Sequence, residues 1–220
     1  MDDAVSDGVL TREKILEAAE DVLRRFGPSK TTVVDVARSL GVSHGSVYRH
    51  FPSKAALREA VLERWLHRIS DPLEAAVRGR QPAPERLRSW FDALIAAKRR
   101  KYLNEAELFA TYAALAVDAR DVVKAHVDTL VDQIARIVAE GMQSGTFTVK
   151  DAGVAARSVF DATARFHNPA HAAEWSDAGI DAAFDGVWTL LRAALTASGS
   201  QKSEVRSRKP ERRSAPPKPG

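Results

Sequence analysis

The 220-residue chain contains no cysteine. That absence removes disulfides, thiolate metal ligands and thiol nucleophiles together, and it suits a reducing compartment. Long apolar runs are missing as well. The stretch YAALAV at 112–117 falls far short of the roughly 20 residues that cross a bilayer. No segment alternates apolar and polar residues at a period of two, so strands are not predicted. The opening residues, MDDAVSDG, are acidic and polar and do not read as a signal peptide; a cytoplasmic protein without membrane contact is expected. There is no Ser-His-Asp ordering, no phosphate-cradling glycine loop and no convincing carboxylate pair, so neither catalysis nor a cofactor is expected.

Net charge of one sign is scarce outside a single segment. The chain carries a net +4, but residues 198–220 hold seven Lys and Arg against two Glu, a net +5, which leaves the other 197 residues at −1. A basic partner-binding surface must therefore be local. Residues 28–54 form such an island, with Lys30, Arg38, Arg49 and Lys54 against Asp35 alone. The segment 198–220 has one Val and one Ala as its only aliphatic residues. It buries too little to offset its ordering entropy, and we expect a disordered, solvated basic tail.

The periods that are present are helical, and an all-α fold is predicted. Ile15, Leu16, Ala19, Val22, Leu23 and Phe26 recur at spacings of three and four up to Gly27-Pro28. Thr32 with Asp35 reads as a capping box opening a short helix that Gly41 stops. Ser43 caps a second short helix ending near Phe51-Pro52, and Ser53 caps a long one through Leu57, Val61, Trp65 and Ile69. After the break QPAP at 81–84, a helix carries Leu87, Trp90, Phe91, Leu94 and Ile95. Asn104 with Glu107 reads as another capping box. Asp118 precedes a helix from Val123 to Met142 that Gly145 closes. Asp151 caps a helix reaching toward Asn168-Pro169, and a last one runs from about Ile180 to Leu195.

The stretch VARSLGVSHGSVYRHF at 36–51 sets residues of poor or middling helix propensity on a helix. Two helices that cross closely need a small side chain in the first, a residue tolerant of positive φ in the turn, and an apolar anchor in the second. Ala37, Gly41 and Val47 supply these. With those buried, His44, Gly45, Ser46, Tyr48 and Arg49 are left on the outer side of the second helix. In a helix-turn-helix that side enters the DNA major groove. Arg49 and His50 suit phosphate, as does the Tyr48 hydroxyl. His44 and Ser46 lie where a recognition helix reaches base edges, Gly45 permits close backbone approach, and the helix starts at Thr32 and Ser43 present N–H groups suited to phosphate. The spacing alone fits equally well a tight helical corner in an all-α protein.

The segment TTVVDVARSLGVSHGSVYRHFPSKAALREAVLE at 31–63 resembles the DNA-binding segment of TetR-family (tetracycline-repressor-like) transcriptional regulators. The likeness rests on Thr31-Thr32, Val36-Ala37, Gly41-Val42-Ser43, Tyr48-Arg49-His50-Phe51 and Ser53-Lys54 followed by Leu57, and covers roughly residues 11–63. It implies that Thr32, Tyr48 and Lys54 hold phosphates while His44, Gly45 and Ser46 face bases. Some members carry an Arg directly after the paired Thr; Val33 stands there in this chain, which moves sequence reading onto residues 43–49. The resemblance also implies a repressor that binds a palindromic double-stranded operator as a homodimer and is released by a small-molecule effector. The expected organisation is an arm at 1–10, a three-helix DNA-binding domain at 11–54, a larger helical bundle for ligand binding and dimerisation at 55–197, and the tail at 198–220.

In that larger domain the helices at about 152–167 and 178–195 would pair with their symmetry mates in a four-helix bundle. Trp65, Trp90, Phe91, Phe109, Tyr112 and Phe160 are candidates for a pocket taking an apolar or aromatic effector, and each also suits an ordinary core. His167, His171 and Glu174 have metal-like spacing, but Pro169 interrupts any helix that would align them, so no metal site is expected. The rival to a DNA-binding regulator is an all-α ligand carrier or enzyme whose helix-turn-helix is only structural.

Overall fold

The computed structural model describes residues 9–197, and for residues 28–30 the backbone alone. The expected tail at 198–220, and all but the last two residues of the expected arm, lie outside that range. Within it every regular element is helical, as the periodicity predicts. Four helices form the amino-terminal region: α1 (Arg12–Lys30), α2 (Val33–Ser39), α3 (His44–Tyr48) and α4 (Lys54–Ser70). A 3₁₀ turn at Asp71–Leu73 leads to α5 (Glu74–Val77). Then come α6 (Ala83–Asn104), α7 (Ala106–Asp118), α8 (Arg120–Gln143), α9 (Ala152–Ala162) and α10 (Ala164–His167). A 3₁₀ stretch at Pro169–Ser176 precedes α11 (Ile180–Thr196).

Four of the expected caps form. Thr32 and Asp35 complete a capping box on α2, while Ser43, Ser53 and Asp151 accept from the N–H groups of Ser46, Ala56 and Val154. The capping box at Asn104 does not form. Asn104 is the last residue of α6, and Glu105 makes a one-residue joint to α7 with no side-chain cap. Its N–H still bonds the Lys101 carbonyl at 3.1 Å and its carbonyl already serves Phe109. Burial of Phe109, Tyr112 and Leu115 holds α7 in place of a cap. The helix expected to reach Asn168 is broken at Thr163. That hydroxyl bonds back to the Val159 and Phe160 carbonyls, a local competition that tends to bend or end helices.

α4 is the joint of the molecule. It packs against α1 and also against α6, α7 and α8, so the boundary expected after residue 54 falls in its first turn. Arg64 on α4 reaches Glu13 (2.6 Å), Glu17 (3.5 Å) and Glu20 (3.4 Å) on α1, and Arg68 reaches Glu20 (2.9 Å). Single surface ion pairs contribute little, but this is a network whose central members are largely shielded from water, and it fixes the angle between the two helices.

The larger region is cross-linked by buried polar groups. Trp90 Nε1 donates to Gln133 Oε1 (2.9 Å), and Gln133 Nε2 donates to the Ser70 carbonyl (3.1 Å), tying α6, α8 and the end of α4. Arg86 donates to the Val77 and Gly79 carbonyls and pairs with Glu140. Two imidazoles are buried nearby. Burial, with the charge of Lys98 adding to it, pushes His126 down to about 3 and His167 down to about 4. Unfolding returns both to about 6.5, so between those limits the unfolded chain binds more protons and stability rises with pH. The free energy of unfolding should therefore be full above about pH 6.5 and fall as the pH drops toward 4.5, before carboxylates titrate. Urea titrations at pH 7 and pH 5 should show this loss, and His126→Leu should reduce it. An unchanged midpoint across that window would contradict the assignment.

Candidate nucleic-acid interface

The crossing of α2 and α3 is built as the spacing predicts. Ala37 and Val47 are buried, Gly41 has φ 68°, and the Val42 N–H closes onto the Ala37 carbonyl at 3.0 Å. Val47 is the one buried residue of α3. His44, Gly45, Tyr48 and Arg49 are exposed and Ser46 is half-exposed. Tyr48 leaves 44% of its surface open, with its ring set edge-on to His44 at 6.4 Å. The residues expected to face a partner thus share one outer surface.

Their hydrogen bonds show which groups are committed. Ser43 Oγ and Ser46 Oγ lie 2.9 Å apart, and Arg49 donates to Ser46 Oγ at 3.2 Å. Thr32 is less free than its expected role requires. Its hydroxyl donates to Asp35 Oδ2 at 2.6 Å and accepts from the Asp35 N–H. That bond from Thr32 is the main reason the Asp35 carboxyl sits below its usual range, with Arg38 and Lys54 helping. For Thr32 to hold a phosphate, its hydroxyl must be shared with or released by Asp35. Lys54 opens α4 half-exposed beside the Ser53 cap, and His50 is half-buried. Val33 is a core residue at 2% exposure and does not reach the outer surface.

Gly45 is informative because the fold does not need it. An added Cβ would meet only the Ser43 hydroxyl, at an ordinary 3.8 Å, and the backbone there is helical. Glycine within a helix costs about 1 kcal/mol relative to alanine. The fold itself therefore gives no reason for a glycine at this position. Arg12 was not anticipated. Its guanidinium lies 4.4 Å from the Phe51 ring centre and donates to the His50 carbonyl, pinning the exit of α3 to the start of α1. The Arg64–Arg68 network was also missed, although Glu13, Glu17 and Glu20 are spaced by four and three on one face of α1.

The six aromatics expected around a pocket are all buried, in two groups packed on themselves. Trp65 stacks on Tyr112 at 4.5 Å and meets Phe109 edge-on at 6.3 Å. Phe91 packs edge-on to Trp90 at 4.9 Å and lies 6.3 Å from His167, which in turn lies 4.5 Å from Phe160. A cavity of about 190 Å³ lies between α4 and α8 and is lined by none of the six. His167 points into the core, with Nε2 3.2 Å from Thr163 Oγ1 and from the Phe160 carbonyl. His171 and Glu174 pair at the surface, so the three do not converge. Among the described residues no helix is long and apolar enough to cross a membrane.

Two family models match the chain, one described as bacterial regulatory proteins of the tetR family over residues 15–61 and one as the tetracyclin repressor-like C-terminal domain over residues 83–188. The transcriptional regulator TtgR of Pseudomonas putida is 42% identical over 66 residues, 30% of this chain and 31% of its own length. The match to that relative thus spans under a third of it. SmeT, the repressor of the Stenotrophomonas maltophilia multidrug efflux pump SmeDEF, superimposes with a TM-score of 0.60 at 21% identity, over 88% of this chain and 94% of its own. A protein of unknown function from Rhodococcus sp. RHA1 does so with a TM-score of 0.63 at 26% identity, over 89% and 100%. With an amino-terminal match on the helix-turn-helix and a carboxy-terminal match on the larger helical region, the chain belongs to the TetR family of bacterial regulatory proteins.

Proposed function

We propose that the protein is a cytoplasmic transcriptional repressor that binds a palindromic double-stranded operator as a homodimer and is released by a small-molecule effector. The observation that carries this reading is the outer face of α3, where Gly45 is spared a side chain that the fold would accommodate. In this reading Ser43, His44, Gly45 and Ser46 meet base edges or the adjoining backbone. Thr32, Tyr48, Arg49, His50 and Lys54 hold phosphates. The work is binding rather than catalysis.

Dimerisation is supported by an apolar face on α9 and α11. Leu190 leaves 73% of its surface exposed and Val154 66%. A groove of about 370 Å³ between the two helices has walls that include Val154, Ala155, Val159, Leu191 and Ala194. Exposed apolar surface of this kind marks an interface, and two copies packed through it would set the spacing of the two reading heads. For the effector, SmeT has been solved as a complex with triclosan, a precedent for a small ligand on this fold. We take Trp65, Trp90, Phe91, Phe109, Tyr112 and Phe160 as the apolar shell that an effector would part. α4 would convey the change, because ligand binding can move the heads only through a state it prefers.

Gly45→Ala should raise thermal stability slightly, by up to about 1 kcal/mol, yet weaken binding to DNA flanking the protein's own gene by about 1–3 kcal/mol. Equal affinity of the two proteins in a gel shift would remove the central support. Failure of the parent protein to form any salt-sensitive, sequence-selective complex would favour the carrier or enzyme reading. Leu190→Asp should give a folded monomer by analytical ultracentrifugation, since the partner face would bury an unpaired carboxylate. A dimer that persists in that variant places the interface elsewhere.

A further inference from the structure

α3 is short, and its rotation about its own axis is set by the single anchor Val47. At about 100° per residue, the positions two before and two after an anchor both lie about 160° from it. Those positions are Gly45 and Arg49. Arg49 is the C-cap, with φ −63° and ψ −28°, so the helical phase carries through it. The centre of the outer face, opposite the core, thus holds a glycine and an arginine one turn apart. His44 and Tyr48 flank them on one side and Ser46 on the other.

The Arg49 side chain does not run off the end of the helix. Its Nη2 donates to Ser46 Oγ at 3.2 Å, and Ser46 Oγ lies 2.9 Å from Ser43 Oγ, the cap that accepts from the Ser46 N–H. Side chains on a helix lean toward its N-terminus, and these two hydroxyls hold the guanidinium in that lean, back along α3 toward its first turn. Gly45 leaves the adjoining strip bare, since even an added Cβ there would meet only Ser43 Oγ. Arg38 on α2 is paired with Asp35 at 3.3 Å. Among the described residues no carboxylate takes Arg49, and its remaining guanidinium donors stay open to a partner.

A guanidinium extended from a helix end meets phosphate by charge alone. One laid along the reading face meets base edges, where its planar fork matches O6 and N7 of guanine in the major groove. We propose that Arg49 reads a guanine in each operator half-site, adding base recognition to its phosphate contact, and that Ser46, itself held by Ser43, is the positioning residue that aims it. The inference rests on the reading of the chain as a DNA-binding regulator and names the residue that carries its specificity. It also gives Gly45 a purpose. Without a side chain there, α3 settles closer to the floor of the groove, where the guanine edge lies.

Duplexes selected by the full-length protein from a random pool should carry a guanine in each half-site that is sensitive to its N7. Replacing it with 7-deazaguanine, which lacks that acceptor, should weaken binding about tenfold or more. Arg49→Gln should bind the selected duplex and one with that base pair changed alike, within about twofold. Lys54→Gln is the phosphate control and should weaken both duplexes by the same factor, keeping the preference. Ser46→Ala retains the N–H that Ser43 accepts, so it should fold, and it should lower the preference at the same guanine. The inference is overturned if no selected guanine responds to the loss of N7, or if Arg49→Gln weakens the selected and altered duplexes equally. A Ser46→Ala protein whose preference changes only at another base pair overturns the positioning role. If no duplex is selected, the repressor reading and this inference fall together. A protein that selects a site yet keeps its guanine preference in Arg49→Gln defeats this inference alone.

Discussion

The closeness with which α2 and α3 cross is the constraint on which the rest depends. Ala37 is small enough, Gly41 accepts φ 68°, and Val47 enters the gap as an anchor. A larger side chain at Ala37 would crowd the corner, and a β-carbon at Gly41, though it would meet nothing, would strain the backbone at its positive φ. With only Val47 buried, four of the five residues of α3 lie outside the core. The helix is short and rich in poor helix formers, so it is held by its anchor and its Ser43 cap rather than by propensity. The unusual sequence of α3 follows from that division of labour.

The second constraint is that α4 belongs to both halves. Its arginines grip α1 through three glutamates, while its apolar side enters the core of the larger region and its last carbonyl is held by Gln133. A rigid helix with commitments at both ends transmits a displacement, whereas a flexible linker would absorb it. The polar cross-links of the larger region sort into those that are satisfied and those that are not. The satisfied one, at Gln133, ties α6, α8 and the end of α4 together, and the terminal nitrogens of Arg86 are likewise paired. His126 does not contribute in that way, since its buried Nε2 has no partner among the described residues, and an unpaired buried group costs stability.

Much of the architecture was legible because its signals are local. A hydroxyl or carboxylate at a helix start caps that start almost wherever it occurs, and Thr32, Ser43, Ser53 and Asp151 all do so. The outward set of α3 followed from knowing that Val47 must be inside. Local signals misled at Asn104, which closes α6 instead of capping α7, and at Thr163, whose hydroxyl breaks a helix that the pattern extends. Other features depend on which helices lie side by side. The grip of Arg64 on α1 is of this kind. Lys98 falls between the two cases. It continues the apolar phase of Phe91, Leu94 and Ile95, so the sequence contained a lysine at a core position, but only the packing shows that it has no partner. The six aromatics illustrate the remaining difficulty, since a core and a collapsed pocket have the same composition.

The central claim is that α3 is a reading helix presented twice by a symmetric pair. Selection of duplexes from a random pool by the full-length protein tests it most directly. The account predicts enrichment of a two-fold symmetric site whose half-sites are separated by about one helical turn, roughly 34–36 Å, or a multiple of it. A pool that stays random after repeated selection, or one that converges on a single asymmetric element, would contradict it.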